Sequence, residues 1–361
     1  MSLAKIRDRL RSHPGLFIFL GAFAIFLLFA LCTNHVWEDY YITYRSSKNL
    51  ANGHGLVFNV GERLHTFTSP LGVLLPALSH LLTGNTSDTG ALWIFRVMCA
   101  AAFGGAAILL FRMARLQHGH WVIGGLLAAW LITDPKSVDF TINGMETAFM
   151  LLFLACALRG HLATGPRQWL LLGAAWAGLM WTRPDSFIYV ALIATGFWLF
   201  NDEKQSATNR RGLLVLYFRA GLLTTALYLP WLIWAWAYYG TPIPHTITAK
   251  GDIGGTHSLL GLMGTALQLP YLAWAKTSSL ELTFLPSYYM IGGWPTVLIH
   301  ASRVLATVCG LLWVLPSIRP WSRAASFAFF GAHVYLTYFP YFPFPGIFRA
   351  RPFSPSWRWR G

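Results

Sequence analysis

LFIFLGAFAIFLLFALCT, residues 16–33, runs almost directly into WEDYYITYRSSKNLANGHGLVFNVGERLHTFTSP, residues 37–70. The first stretch holds 18 residues without a charge. That length can cross the roughly 30 Å apolar core of a bilayer and exceeds a signal-peptide core. MSLAKIRDRLRSH ahead of it is basic and no small-residue cleavage site follows, so it reads as a retained first helix. The second stretch is a polar island without transmembrane character. It opens on two adjacent carboxylates, Glu38 and Asp39, and continues with tyrosines, basic residues and glycines.

Composition says what surrounds the island. Hydrophobic residues make up 55% of the 361 and charged residues 11%, against roughly 25% charged in soluble domains. The mean hydropathy is +0.49. Seventeen Trp and 14 Tyr suit interfacial belts. The expected fold class is therefore all-α, a polytopic membrane protein. A net charge of +14 does not point to nucleic acid, because Lys and Arg collect in cytoplasmic loops for topological reasons. The four cysteines, Cys32, Cys99, Cys156 and Cys309, lie scattered in apolar runs and read as buried thiols.

A basic N-terminus placed inside fixes the expected alternation. Helix one exits and residues 34–90 form a structured first outer loop. Residues 69–83 are apolar but short and contain Pro70 and Pro76. Counted as a full span, they would put Arg112 and Arg115 outside and invert every later loop. They are expected to be re-entrant or to lie on the surface, as irregular segments beside a protein-lined cavity do. The inner loops then receive Lys5, Arg7, Arg9, Arg11, Arg112, Arg115, Arg159, Arg167, Lys204, Arg210, Arg211, Arg319 and Arg323, as the positive-inside rule requires. Ten of the 13 acidic residues fall on the outer side. Topology does not impose that bias; a functional outer face would. About nine spans are expected, with eight to eleven allowed. Residues 1–341 form the membrane domain and 342–361 a short tail, truncated or altered. Four tail arginines, Arg349, Arg351, Arg358 and Arg360, fall outside against the charge rule.

Several blocks carry chemistry. Glu38 and Asp39 are adjacent, so they do not face each other across a substrate as paired glycosidase carboxylates do. A division of labour fits better: one takes a proton from an attacking hydroxyl, the other orients the acceptor, a metal or its neighbour. Gly53, Gly55 and Gly61 permit left-handed turns, so the apolar Leu56-Val57-Phe58 can tuck beneath a compact lid. His54 and His65 read as ordinary loop histidines. Asn143 or Thr141 is expected to cap the helix after Gly144-Met145-Glu146-Thr147, with Glu146 near its positive end. Arg183 in Thr182-Arg183-Pro184-Asp185 is either a fork-shaped phosphate ligand or half of a local ion pair with Asp185. Lys250, after the stiff Pro242–Pro244 turn, would approach a phosphate as a point charge or sit as an ordinary interfacial lysine.

In this order the blocks resemble the GT-C class of integral-membrane glycosyltransferases, which use polyprenyl-phosphate sugars. They are an acidic pair with aromatic residues at 38–45, NLxxGxGLVFNxGER at 49–63, SPL at 69–71, GMET at 144–147, RPD at 183–185 and YGxPxPxTxxAK at 239–250. The order is similar to that in bacterial relatives of the protein mannosyltransferases and of the mycobacterial terminal arabinofuranosyltransferase. The resemblance covers roughly residues 37–250. It implies Asp39 as the catalytic base and Glu38 as its partner; the family often has two aspartates here, so Glu38 is a mild departure. In such a reaction Arg183, Lys250 or Arg96 would hold the donor phosphate. Tyr40, Arg45, Glu62, Arg63, Glu146, Asp185 and His245 lie within these blocks and are expected to orient substrate.

The reaction so implied is inverting transfer of a hexosyl or pentosyl group from a polyprenyl-phosphate sugar to a hydroxyl of a glycan, glycolipid or protein. It would occur on the periplasmic or extracellular face of the cytoplasmic (inner) membrane, with the N-terminus cytoplasmic and membrane lipids around the chain. No cofactor is required, there is no P-loop or GxGxxG, and no metal ligand set is indicated, although Glu38 or Asp39 would suit a divalent ion. Two rival readings are a lipid or glycolipid flippase and a non-catalytic envelope assembly protein. The flippase would need ionisable residues at mid-membrane. Only Arg96 and Arg303 lie well inside spans, and both can snorkel.

Overall fold

The computed structural model describes residues 13–118, 121–202, 208–247, 259–275, 279–287, 290 and 293–338. Among these, every regular element is helical. The first compact unit comprises residues 1–191 and 201–246, the second 192–200 and 247–361. Lys250 and residues 342–361 lie outside the described residues.

The first unit is built from α1 (Pro14–Thr33), α2 (Glu38–Ala51), α3 (Pro70–Leu82), α4 (Asp88–His118), α5 (Trp121–Thr133), α6 (Pro135–Ile142), α7 (Thr147–Leu162), α8 (Gln168–Thr182), the start of α9 (Phe187–Leu199) and α10 (Arg210–Tyr239). Proline opens α1 at a position where its missing N–H costs nothing. Asn34, left-handed at φ 45°, closes it by donating to Ala30 O. One stripe of α1, Ala22, Phe26 and Ala30, is buried, while Leu16, Leu20, Leu28 and Leu31 are exposed. In lipid an exposed leucine costs nothing, so helix pairing there rests on close packing. Gly104 of α4 supplies it: a Cβ there would meet the Phe19 ring at 2.7 Å. Phe26 lies on Phe103 at 4.3 Å between ring centroids.

Side-chain register gives each helix a direction. Gly15 faces Ile108 and Arg112, whereas His35 O meets Arg96, so α1 and α4 are antiparallel. Gly124 of α5 packs on Phe111, and the chain then returns to place Ile142 O on Arg96. Cys99 faces Met145 O and Gly105 faces Leu152, so α7 runs parallel to α4. Gly178 and Gly160 of the α7–α8 pair contact Phe153 and Leu172, which makes α8 antiparallel to α7. Gly173 O accepts from Thr224 and Leu227 O from Trp181, so α10 runs parallel to α8. The direction therefore reverses at α4, α5, α7 and α8.

Two ends result. Residues 34–87, 134–146, 183–186 and 240–246 gather at one, the loop end. Arg112, Arg115, Arg159, Arg167, Arg210 and Arg211 gather at the other, the arginine end. Because α1 leaves and α4 returns at the loop end, α2 and α3 both lie at that end. Ser69 caps α3 by accepting from Gly72 N–H at 2.8 Å. The far end of α3 is tied by His80, whose Nδ1 lies 2.8 Å from Tyr44 Oη; Tyr44 also donates to Asp88.

The chain is an all-α polytopic membrane protein. Among the described residues four helices are long and apolar enough to cross a bilayer, Pro14–Thr33, Asp88–Leu116, Arg210–Tyr239 and Thr296–Val314. They are five if α6 and α7, bent by 116°, count as one span. The expected nine included shorter helices such as α5 and α9. Each has 13 residues and rises only about 20 Å, against a core of roughly 30 Å.

The second unit contains the end of α9 with α11 (Leu259–Ala275), α12 (Ser279–Thr283), α13 (Thr296–Leu311) and α14 (Pro320–Tyr338). Gly196 brings α9 against the α14 backbone, where a Cβ would lie 2.8 Å from Ala324 O. Arg303 does not snorkel: its Nη2 pairs with Glu281 at 2.7 Å. Arg323 lies over the Phe200 ring and donates to Trp313 O.

Candidate active site

Glu38 and Asp39 open α2 and are exposed, with the positive end of the helix beneath them. The turn into α2 is fixed from two sides. Trp37 donates its backbone N–H to Asn143 O at 3.1 Å, and its ring stacks on Phe140 at 4.9 Å. Tyr40 is buried rather than aimed at a substrate. It stacks on Tyr44 and lies against Gly144, where a Cβ would come within 2.6 Å of the Tyr40 ring. At φ +99° only glycine is at ease there. The acidic pair is thus pinned to the turn before α7.

That turn carries Glu146. Neither Asn143 nor Thr141 caps α7; the cap residue is Glu146 itself, without a side-chain cap bond. Asn143 instead turns its amide to Asp139 and to His35 Nδ1 at 3.1 Å. The Glu146 carboxylate lies over the first turn of α3, where a Cβ on Gly72 would be 3.1 Å from Oε2. Burial pushes this carboxyl above the ordinary glutamate value, the Arg183 charge opposes the rise, and Asp185 and Asp39 add to it.

Arg183 follows α8, its backbone N–H closing the helix on Leu179 O at 2.8 Å. Its fork grips Asp185, Nε to Oδ1 at 3.1 Å and Nη2 to Oδ2 at 3.3 Å. The local ion pair is therefore present. Burial works against the guanidinium charge, but Asp185 and Glu146 outweigh it and hold Arg183 above its usual value. Arg183, Asp185 and Asp39 thus all act electrostatically on Glu146, which lies at the N-terminus of α3, and Glu38 adjoins Asp39 in the chain.

The other predicted residues sit elsewhere. Arg96 is fully buried, at 0% exposure. Its Nε donates to Ile142 O at 3.0 Å and its Nη2 to His35 O at 2.7 Å. It joins the carbonyl-rich ends of α1 and α6, where a cation is favoured, and neither snorkels nor faces an open site. Arg45, Glu62 and Arg63 build the lid. Arg45 donates to Asn59, which donates to Glu62. Its guanidinium lies 4.4 Å from the Phe58 centroid, and that of Arg63 lies 4.9 Å from the Tyr238 centroid. Leu56 and Val57 are buried beneath this lid, and Tyr239 Oη donates to Leu56 O. His245 exchanges bonds with His65: its N–H donates to His65 O at 3.0 Å, and its Nδ1 accepts from His65 N–H at 3.2 Å. His65 stacks on Tyr239 at 4.6 Å. Burial first, then the His245 charge, lower its imidazole to about 4.

The role of Gly72 was not foreseen, although Ser69-Pro70 is a helix-start signature. The group formed by Lys48, Tyr44, His80 and Asp88 was also missed, because its members are separated by up to 44 positions in sequence and share no motif. Among the described residues no three His, Cys, Asp or Glu side chains are grouped to hold a metal ion.

No family model matches the chain. It is 27% identical over 236 residues, 59% of this chain and 32% of the relative, to the terminal beta-(1->2)-arabinofuranosyltransferase of Corynebacterium glutamicum. It is 26% identical over 244 residues, 60% of this chain and 35% of the relative, to the protein of the same name from Mycobacterium tuberculosis. The chain spans about a third of the length of these curated relatives. The resemblance read from the motif order has this counterpart: over about 60% of its length the chain is similar to the terminal beta-(1->2)-arabinofuranosyltransferases.

Proposed function

We propose that this chain carries the catalytic centre of an inverting glycosyltransferase that uses a polyprenyl-phosphate sugar. The observation that carries the reading is the electrostatic coupling of Asp39, Arg183 and Asp185 to Glu146, which lies at the N-terminus of α3, at the loop end of the first unit. Asp39 takes the proton of the acceptor hydroxyl. The hydroxyl oxygen forms its bond to the anomeric carbon from the face opposite the phosphate. The bond from that carbon to the phosphate oxygen breaks, and the electron pair leaves with the phosphate. Glu38 orients the acceptor or Asp39.

Arg183 is the cation for the departing phosphate, and Lys250 is a second. A fixed fork aimed at developing charge stabilises the transition state more than the ground state. Asp185 holds that fork in place, and Glu146 sets the position of Arg183 relative to α3. Arg96 acts at a distance in this reading, by holding the turn that carries Asn143 to Glu146. The lid residues Arg45, Glu62, Arg63 and His245 shape the acceptor side, and Tyr40 supports the acidic pair from below. No step passes through a metal.

The name of the curated relatives favours a pentose, arabinofuranosyl, delivered to a glycan hydroxyl in a beta-(1->2) linkage. The alternation of charge favours a site on the outer face of the cytoplasmic membrane, with the N-terminus inside. Membranes containing the chain, given radiolabelled polyprenyl-phosphate arabinofuranose and an arabinan acceptor, test this. Transfer of label with inversion at the anomeric carbon is the expected result. Movement of the lipid across the bilayer without transfer would replace this reading with the flippase.

A further inference from the structure

A second site lies at the arginine end of the first unit. There α7 stops at Leu162 and the chain turns off through Ala163 in an extended conformation, φ −76°, ψ 156°. The parallel helix α4 continues to His118. The mismatch leaves a cleft of about 320 Å³ lined by Met113, Leu116, Arg159, Leu162, Ala163 and Thr164. That volume is within the roughly 300–1,000 Å³ of ligand pockets. Arg159 is half-buried in this cleft and, among the described residues, makes no ion pair or hydrogen bond. Its counterparts deeper in the fold behave otherwise: Arg96, Arg183, Arg303 and Arg323 are each committed to a carbonyl or carboxylate. The opposite wall is apolar, and Leu116 is 70% exposed at its rim.

We infer that the cleft binds a phosphate group, with Arg159 as its ligand and the headgroup of an anionic phospholipid as its source. The guanidinium fork matches two phosphate oxygens, Thr164 offers a hydroxyl, and Met113, Leu116 and Leu162 form the apolar side that an acyl chain needs. Arg112, Arg115 and Arg167 raise the local positive potential at the same end. Basic pockets between helices at a membrane surface take anionic headgroups for these reasons. The site is remote from Asp39 and does not rest on the proposed reaction.

The test counts lipids retained by the purified full chain in native mass spectrometry, with phosphatidylglycerol, phosphatidylcholine or inorganic phosphate alone. The wild type is expected to retain phosphatidylglycerol in preference to phosphatidylcholine. Arg159→Gln should weaken that retention roughly fivefold or more, the loss of one surface cation-to-headgroup attraction, while Arg159→Lys keeps part of it. Leu162→Trp, which fills the cleft without changing charge, should displace the lipid and serves if Arg159→Gln folds poorly. Binding of inorganic phosphate that depends on Arg159, without a preference for phosphatidylglycerol, would identify a soluble phosphate as the source. Equal retention by wild type, Arg159→Gln and Leu162→Trp in every arm would overturn the site.

Discussion

The carboxylate of Glu146 lies over Gly72, so close that a single methyl group on Gly72 would stand 3.1 Å from Oε2. Residues 74 positions apart in sequence are thereby set against each other at the start of α3. Gly72→Ala should lower turnover roughly tenfold or more, since displacements of about 1 Å at a reacting centre have effects of that order or larger. The same methyl would meet Ser69 Oγ at 2.7 Å and weaken the cap by about 1 kcal/mol. The measurement is kcat in the transfer assay beside a thermal melt. A melt close to wild type with a lost kcat is the expected pair; unchanged kcat would show that Glu146 has no part in the site.

Glu146 also gives the protein a pH dependence of defined sign. Its carboxyl is held above its ordinary value of 4.5 by burial. Its contribution to stability is therefore full below that value and is lost as pH rises through the raised one. Glu146→Gln keeps the neutral shape and removes the titration. Melting temperature should fall on the alkaline side of pH 4.5 in the wild type by a component that is missing in Glu146→Gln, with Asp185 still holding Arg183. Parallel pH profiles for the two proteins would contradict this.

His65 works in the opposite direction. Its imidazole titrates near 4 in the fold against an ordinary 6.5. Its contribution is present above 6.5 and is lost as pH falls from there to about 4, amounting to at most about 3 kcal/mol. His65→Phe keeps the stack on Tyr239 and cannot be protonated. Its melting temperature should stay level across that window while that of the wild type declines. Limited proteolysis at residues 52–68 gives a second reading, because His65 and His245 tie the lid to the end of α10.

Much of this arrangement is legible in the chain. The spacing of arginines along apolar runs gives the alternation of helix direction seen in the first unit, with α3 at the loop end. Glu38 and Asp39 do open a helix, and Arg183 with Asp185 makes the local pair that two residues apart can make. What the sequence hid depends on where helix ends meet. Arg96 reads as a snorkelling residue because nothing nearby shows that the last carbonyls of α1 and α6 will arrive beside it. Asn143 reads as a cap because its identity suits one, yet Asp139 and His35 claim its amide. Tyr40 reads as a substrate contact, but Gly144, 104 positions on, makes room for its ring. The span count is blurred because a 13-residue apolar helix can reverse the chain direction without meeting the length of a full crossing.

The central claim is that Asp39 removes the acceptor proton. It is tested most directly by the kcat/KM of Asp39→Asn in membranes supplied with polyprenyl-phosphate arabinofuranose, beside Glu38→Gln. General-base catalysis is worth about 10²- to 10⁴-fold. The account predicts a loss in that range for Asp39→Asn, with normal membrane insertion, and a smaller loss for Glu38→Gln. Transfer by Asp39→Asn at the wild-type rate would contradict it.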